Sequence, residues 1–518
     1  MSFVWNLPLF MIVGCLFSAA LCLLLKGRTA CRYSAVLTIG LILADILVLH
    51  FTGKSGAFTF SMGEFPAPWG NEIRAGTLEC TVLLVFLCVI LCSLLAGYRY
   101  LLRDVDESKI NLYCALLNLA SAAACALVFT NDIFTGYVFL EIMTLASCGL
   151  MISRETGRTT LASIRYMIMN LLGSGLYLLG VTLLYGLTGH LLMVPLQETV
   201  SVLAQDPSLH LTLTFSVAMI TIGLSIKSGL FPFHFWMPDA YGFATPTTAS
   251  IMSSVVSKAY IFLLIKIYYR ALGPAVMAQI PMEKILFVLG IAGMVFGSVS
   301  ALHTNDIYRM IAYSSAAQIG YIYMSLGIGG QLGYRAAIIH LMAHAVTKSL
   351  LFLTVPRLSD VSGGSRIFHD LQGSALRDRY AGFCFTACAL SMVGIPLLAG
   401  FSSKFLILLA ATDNRNAAVP FIVLAALAVS TLVNTLYFIR TVIRIWSRPQ
   451  EGTAPSSAES AASGKDSVRP VYRVSDQGLL SLCLYRIPGC ILLAGIFMIG
   501  LFPSGLAGLL DSGLRMFS

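Results

Sequence analysis

Long apolar stretches recur along almost the whole chain, separated by short polar breaks. Each stretch is close to the roughly 20 residues that a helix needs to cross a bilayer. The pattern predicts an all-α polytopic membrane protein with about fourteen transmembrane helices. The predicted spans are 4–25, 33–52, 77–98, 110–129, 131–152, 161–187, 212–232, 246–270, 282–302, 307–328, 333–355, 380–410, 417–446 and 483–510.

The composition agrees with a chain that is solvated by lipid. Of its 518 residues, 57% are hydrophobic and 11% are charged, whereas soluble domains carry about 25% charged residues. Residues 4–25 follow no basic segment and precede no small-residue cleavage site. We therefore expect no cleavable signal peptide, and we expect the first helix to remain in the membrane.

The basic residues are distributed unevenly between the predicted loops. If the loop after the first helix is cytoplasmic, 21 lysines and arginines fall on the cytoplasmic side and seven on the other, with five lysines inside helices. The positive-inside rule predicts this asymmetry. It accounts for the net charge of +9 without nucleic acid. We expect both termini to be extracytoplasmic, in a bacterial or archaeal cytoplasmic membrane.

The thirteen cysteines show no spacing that is typical of metal or cluster ligands. They lie in apolar helices, and the closest pairs, Cys88/Cys92 and Cys384/Cys388, are four residues apart. No C-x-x-C pair is present. No flavin, quinone or iron–sulfur motif is apparent either, so we expect neither a redox cofactor nor a metal, and no redox chemistry of the chain's own.

The spans group into five predicted regions. Residues 53–76, rich in glycine and proline, read as an outside loop, and the last helix reads as an appendage to the main bundle. The regions are an N-terminal three-helix segment (1–109), a first repeat (110–270), a second repeat (282–446), a flexible cytoplasmic linker (448–477) and a C-terminal helix (483–510).

Several ionisable residues lie inside predicted spans, where a charge costs several kcal/mol and by default marks function. Glu141, Lys227 and Lys258 sit near the middle of their spans. The alternatives are a neutral, hydrogen-bonded carboxyl for Glu141 and lysines that extend to the interface. For Lys266, close to the end of its helix, we expect such snorkelling rather than a functional role.

Three further groups occupy one face of a single span. His340, His344 and Lys348 are spaced four residues apart, which stacks them about 6 Å apart per step. Histidines at this spacing can bind zinc, but no Glu, Asp or Cys within 333–355 completes a ligand set. A proton path is therefore favoured over a metal site, and Lys404 extends the series.

These residue types suit proton transfer. Removal from water destabilises the charged form of a lysine, and a nearby carboxylate stabilises it again. A change in the Glu141–Lys227 distance could therefore load or unload a proton on the lysine. Histidine titrates near neutral pH, and the hydroxyls of Ser228 and Thr347 are candidate bridges.

Glycine and proline interrupt two spans beside a lysine. Lys227 is followed by Gly229 and Pro232, and Lys404 is preceded by Gly394 and Pro396. Broken helices at corresponding places in two halves are typical of inverted repeats with an ion path between them. Ordinary proline kinks are the alternative. With a lysine beside both breaks, we predict two inverted five-helix repeats.

Taken together, these stretches resemble the antiporter-like membrane subunits of respiratory complex I, membrane-bound hydrogenases and Mrp-type Na+/H+ antiporters. The resemblance covers about residues 60–446. It is carried by 227–240 (KSGLFPFHFWMPDA), 244–250 (ATPTTAS), 306–315 (DIYRMIAYSS), 340–353 (HLMAHAVTKSLLFL) and the Gly394-Ile-Pro and Gly400-Phe-Ser-Ser-Lys segments.

The resemblance implies fourteen helices, two inverted repeats and a functional role for the seven residues already singled out. Size and lysine set look most similar to the Mrp D-type or the equivalent hydrogenase subunit. Lys404 replaces the glutamate found in one complex I paralogue, which argues against that branch. The linker and Asp45 in the second span depart from the family pattern.

Three functions fit the sequence. The first is a proton-translocating subunit of an energy-converting complex of the NADH dehydrogenase or hydrogenase type, which implies membrane-subunit partners. The second is a subunit of an Mrp-type Na+/H+ antiporter, driven by ion gradients and transporting H+ and Na+. The third is a membrane scaffold for substrate uptake, as in bicarbonate-accumulating complexes.

Overall fold

The computed structural model describes residues 2–62, 65, 70–414, 416–448 and 479–515. Helices dominate these residues, which confirms the all-α class. One small antiparallel sheet, β1 (Phe58–Ser61) paired with β2 (Glu72–Ala75), lies within the segment that we predicted to be a loop. Apart from Arg448, the predicted linker 448–477 lies outside the described residues.

The first half of the described chain contains twelve helices. Two segments widen locally into π-helical turns, Met252–Val256 and Ile267–Leu272, and short 3₁₀ turns cover Glu107–Lys109 and Phe233–Trp236. The helices are α1 (Ser2–Leu24), α2 (Gly27–Ser55), α3 (Thr77–Asp104), α4 (Ile110–Phe129), α5 (Ile133–Ile152), α6 (Gly157–Thr188), α7 (Met193–Leu203), α8 (His210–Ser228), α9 (Met237–Phe243), α10 (Pro246–Ile251), α11 (Ser257–Lys266) and α12 (Pro274–Met277).

The second half contains nine described helices. The predicted span 380–410 is two half-helices, separated by a turn that contains Pro396. The helices are α13 (Met282–His303), α14 (Ile307–Ile328), α15 (Gly330–Asp360), α16 (Ser374–Arg377), α17 (Arg379–Val393), α18 (Ala399–Thr412), α19 (Ala418–Trp446), α20 (Leu479–Leu501) and α21 (Pro503–Arg515).

Both predicted helix breaks are present and both use a glycine with positive φ. Gly229 (φ 81°) follows the last residue of α8 and precedes Pro232, and Gly394 (φ 100°) follows the last residue of α17 and precedes Pro396. A side chain is strained in this left-handed region, which explains glycine at both sites. The breaks leave helix ends in the interior of the bundle.

Twelve helical segments within the described residues are long and apolar enough to cross a membrane. The other two predicted spans are α14, a 22-residue helix that carries buried serine, glutamine and tyrosine side chains, and the broken pair α17/α18. The structure is therefore a polytopic helical bundle of the predicted size.

The two most buried spans carry four of the seven candidate residues, Lys258, His340, His344 and Lys348. The apolar windows of 246–272 and of α15 are completely buried, whereas those of α6, α13 and α19 are 39% buried. Lys258 and the histidines therefore lie in the centre of the bundle. Lipid-facing helices surround them and keep their polar groups from the bilayer.

The C-terminal helix is part of the bundle, so the prediction of an appendage was wrong. α20 contacts α3, α15, α17 and α18. Ser402 Oγ donates to the Gly500 carbonyl at 2.7 Å, and Arg335 forms an ion pair with Asp511 of α21 at 2.7 Å. The predicted single helix also ends at Leu501, because Pro503 starts α21.

Candidate functional site

The first part of the site is an ion pair between α5 and α8. Lys227 Nζ lies 3.4 Å from Glu141 Oε1 and donates a hydrogen bond to Thr144 Oγ1 at 2.8 Å. The Lys227 side chain is completely buried, whereas that of Glu141 is 25% exposed. A buried ammonium needs such partners, because a single unpaired charge is strongly destabilising. The carboxylate is the more accessible member of the pair.

Close packing of α6 on α8 holds Lys227 in place. A Cβ atom on Gly173 would lie 2.8 Å from the Gly223 carbonyl oxygen and 3.0 Å from Lys227 Cγ. Glycine at this contact lets the two backbones approach, as small residues do in membrane bundles. The lysine stem therefore lies against the α6 backbone, and its ammonium group is directed to α5.

Lys258 lies two residues after the π-helical turn Met252–Val256. Its ammonium donates to the carbonyl oxygen of Ser253. π-Helical turns leave free some carbonyl groups that would accept a backbone hydrogen bond in a regular helix, and such turns are frequent at functional sites. The turn therefore supplies an acceptor for a lysine that is completely buried.

Thr144 and Tyr260 connect the first lysine to the helix of the second. The Tyr260 hydroxyl is 3.1 Å from Thr144 Oγ1, which in turn accepts from Lys227. The Lys227 ammonium also lies 5.5 Å from the centroid of the Tyr260 ring. Among the described residues, no direct hydrogen bond joins Lys227 to Lys258.

The histidines of α15 stack as their spacing predicted. The rings of His340 and His344 have centroids 6.5 Å apart and planes 22° apart. His340 is placed by Ser403 Oγ at 2.9 Å from Nδ1 and by Gln318 Oε1 at 3.0 Å from Nε2. Neither ring nitrogen of the buried His344 has a hydrogen-bond partner among the described residues.

Lys348 completes the α15 row on the side of α14. Its ammonium donates to the Ile311 carbonyl at 2.8 Å and to Ser314 Oγ. The π-helical turn Met252–Val256 and α11, which carries Lys258, both pack against α15. The row on α15 therefore lies beside the second lysine of the series.

Lys404 lies on α18, and its side chain reaches back to the break between α17 and α18. Its ammonium donates to the carbonyl oxygens of Met392 and Val393, at 2.9 and 3.0 Å, which are the last residues of α17. Terminal carbonyls form the negative end of a helix dipole, so they stabilise a cation. The same ammonium lies 5.2 Å from the centroid of the Tyr321 ring, which stacks on His340.

The structure thus brings the seven predicted residues into one buried region. Contacts join Glu141 to Lys227, His340 to His344, and His340 through Ser403 and Tyr321 to the Lys404 site. Lys258 lies on a helix that packs against α15, and Lys348 lies on α15 itself. Each of these side chains can gain or lose a proton, which is the chemistry that the arrangement offers.

The connecting polar residues were mostly missed from the sequence. Thr144, Tyr260, Gln318 and Ser403 make the connections. Of the predicted bridges, the Thr347 hydroxyl donates to the Ala343 carbonyl of its own helix. Ser228 Oγ is 2.7 Å from the Tyr323 hydroxyl. Thr144 could have been found, because it lies one turn after Glu141 on the same face.

The expectation that Lys266 snorkels to the interface was wrong. Its side chain is 1% exposed and donates to the carbonyl oxygens of Val128 and Thr130 at 2.6 and 2.5 Å. The end of α4 thus accepts this lysine as the end of α17 accepts Lys404. Asp45, which the sequence analysis also singled out, is completely buried on α2.

In the described part of the chain, no group of three or more His, Cys, Asp or Glu side chains could hold a metal ion. His340 and His344 therefore belong to no such group either.

Comparisons with known proteins give a consistent result. A family model described as "NADH:quinone oxidoreductase/Mrp antiporter, TM" matches residues 130–431, more than half of the chain. The NADH-quinone oxidoreductase subunit N of Desulforudis audaxviator is 33% identical over 461 residues, which cover 86% of this chain and 88% of that protein.

Two further proteins extend the similarity. The D-type subunit of the Na(+)/H(+) antiporter of Alkalihalophilus pseudofirmus is 27% identical over 78% of this chain and 79% of its own length. A chain in the solved structure of the membrane-bound sulfane sulfur reductase, an archaeal respiratory membrane complex, superposes with a TM-score of 0.81 at 25% identity. The superposition covers 100% of this chain and 97% of that one.

Proposed function

We propose a function for this chain from the fact that it belongs to the NADH:quinone oxidoreductase/Mrp antiporter family. It is the proton-translocating, antiporter-like subunit of a multisubunit energy-converting membrane complex. Its partners are other membrane subunits of the same complex. They supply the driving reaction, since the sequence offers no redox cofactor motif. Glu141, Lys227, Lys258, His340, His344, Lys348 and Lys404 carry the proton.

The observation that carries this proposal is the buried contact of Lys227 with Glu141. The carboxylate stabilises an ammonium that is completely buried, so their separation sets how readily the lysine holds its proton. A partner subunit that moves α5 or α8 would change this separation. The proton would then pass toward the histidines and Lys404.

We further propose that 110–270 and 282–446 are inverted repeats. A second correspondence supports this beyond the two broken helices. Thr130-Asn131-Asp132 precedes α5 and Thr304-Asn305-Asp306 precedes α14, so the same tripeptide begins the second helix of each proposed repeat. Each aspartate caps its helix, with Asp132 accepting from Thr135 N at 2.7 Å and Asp306 from Tyr308 N at 2.8 Å.

The orientation that we propose follows from the basic residues. With 21 lysines and arginines on one side and seven on the other, both termini are extracytoplasmic. The two matched caps then lie on opposite sides of the membrane, as inverted repeats require. Accessibility of single-cysteine variants in whole cells tests this orientation.

The test is proton translocation by the whole complex in sealed vesicles. Lys227→Ala and Glu141→Ala should each abolish translocation while the complex still assembles. Lys284→Ala is the matched control, because Lys284 is an exposed lysine at the start of α13. Wild-type translocation by both site variants would refute the mechanism.

A second candidate is a subunit of an Mrp-type Na+/H+ antiporter, and the similarity to the D-type antiporter protein favours it. In that case a Na+ gradient alone should drive proton movement in vesicles that contain the complex. The response to Na+ of a pH-sensitive dye, with no redox substrate present, distinguishes the two candidates.

A further inference from the structure

An open cavity with several arginines lies at one end of the bundle. Its volume is about 550 Å³, within the range of small-molecule sites. It lies between the first turns of α6, the end of α9 and the α13–α14 connection. Its lining includes Arg158, Arg165, Asp239, Phe243 and Arg309. We call this feature the arginine cavity.

Three guanidinium groups surround the ring of Phe243, which lines this cavity. Arg158, Arg309 and Arg366 have their Cζ atoms 5.8, 5.6 and 5.2 Å from the centroid of Phe243. Cation–π contacts stabilise such an arrangement. They also bring like charges together, so the cavity concentrates positive charge.

The carboxylates present do not balance these charges. Asp239 pairs with both Arg165 and Arg309 at 2.6 Å. Asp306 pairs with Arg366 at 2.9 Å and also caps α14. Two carboxylates thus face four arginines.

Arg158 is the one of these four arginines that pairs with neither carboxylate. It is exposed, and it has no ion pair or hydrogen bond with any residue that the structure describes. Guanidinium groups bind phosphate well because their planar donors match its oxygens.

An exposed apolar stripe continues from the cavity along α6. Arg158, Leu161, Arg165, Ile168 and Leu172 follow one another at intervals of three and four residues, so they share one helix face. Leu161, Ile168 and Leu172 are 51%, 56% and 57% exposed. Because α6 is 32 residues long, about 48 Å, its first turns extend beyond a hydrocarbon core of about 30 Å. Phosphates of lipids lie at that depth.

We propose that the arginine cavity binds the headgroup of an anionic phospholipid, with the phosphate against Arg158 and Arg165 and an acyl chain along Leu161, Ile168 and Leu172. Basic pockets between membrane helices suit such headgroups. The apolar stripe distinguishes a lipid from a free phosphate, which would gain nothing from it. This inference is independent of the proposed proton path.

The test is native mass spectrometry of the full chain with phosphatidylglycerol or phosphatidylcholine. We expect wild type to hold one phosphatidylglycerol about tenfold more tightly than phosphatidylcholine, a difference that a single charge-assisted contact can supply. Arg158→Gln should remove this preference and Arg158→Glu should reverse it. Arg32→Gln should keep it, because Arg32 is an exposed arginine on α2 outside the cavity.

The proposal is overturned if Arg158→Gln binds phosphatidylglycerol as wild type does. It is also overturned if inorganic phosphate in large molar excess displaces the lipid, which would indicate a free-anion site. A structure of the assembled complex in which a partner subunit fills the cavity would overturn it as well. Thermal unfolding of both Arg158 variants checks their folding, which we expect to be unchanged.

Discussion

Lys227 and Lys404 are both buried beside a broken helix, but their ammonium groups are stabilised in different ways. Lys227 lies 3.4 Å from the carboxylate of Glu141, whereas Lys404 donates to two terminal carbonyls of α17 at 2.9 and 3.0 Å. A carboxylate can gain a proton and lose its charge, and a peptide carbonyl cannot. The first proposed repeat therefore gives its lysine a partner whose charge can change, whereas the second gives its lysine partners whose charge is fixed.

The surroundings of the two lysines also differ in how accessible they are from outside the subunit. Glu141 is partly exposed, so a change outside the subunit can reach Lys227. Both lysines lie over a tyrosine ring, but the Tyr321 ring beside Lys404 stacks on His340 in the interior. We infer that a signal from partner subunits enters at the Glu141–Lys227 pair and that Lys404 responds to the proton that arrives.

Removing either ammonium should have the largest effect. Lys227→Met and Lys404→Met keep the length and the apolar stem but hold no proton, so each should lower translocation at least about tenfold. Rates in sealed vesicles that contain the whole complex measure this. Lys284→Met serves as the control. A Lys404→Met complex that translocates at the wild-type rate would show that the path does not pass α18.

A smaller effect is expected when the fixed environment is distorted. Gly394 has a φ of 100°, and a Cβ there would lie 3.3 Å from Lys404 Nζ. Gly394→Ala should therefore lower the free energy of unfolding by about 1–3 kcal/mol and slow translocation severalfold. Gly175→Ala is the control, because its Cβ would meet open space. Equal behaviour of the two variants would contradict the strained break.

The contact between His340 and Ser403 should matter less. Ser403→Ala removes one hydrogen bond to Nδ1, so we expect a translocation rate lower by about two- to fivefold. Ser403→Thr keeps the hydroxyl and should restore the rate, which a purely structural role would not require. Failure of the threonine variant to rescue would argue against positioning of His340.

The matched caps should show the smallest difference. Asp132→Ala and Asp306→Ala should each lower the free energy of unfolding by about 1 kcal/mol, the usual value of a lost cap. The loss should be larger for Asp306, because Arg366 also loses its partner. Thermal unfolding in detergent compares them, with the exposed Asp413→Ala as a control that should not change. A larger loss at Asp132 would contradict the account.

The fold and the placement of the candidate residues could be predicted because their signals are local. Apolar length indicated the spans, glycine and proline beside lysine indicated both breaks, and a spacing of four indicated the stacked histidines. The family matches then confirmed the resemblance that these motifs carry.

The remaining features depend on contacts that are distant in sequence. Thr144 meets Tyr260 across 116 positions and His340 meets Ser403 across 63. Helix periodicity shows which face of a helix is apolar, but not which residue of another helix lies opposite. The position of Lys266 was predicted wrongly for the same reason, because the carbonyl oxygens that accept its hydrogen bonds belong to the end of α4.

The central claim is that the charge of Lys227 is set by Glu141, and infrared difference spectroscopy of the working complex tests it most directly. We predict a carboxyl band that changes during turnover, disappears in Glu141→Gln and shifts in Lys227→Met, because the two groups are in contact. Spectra of both variants that match wild type, with translocation at the wild-type rate, would contradict the account.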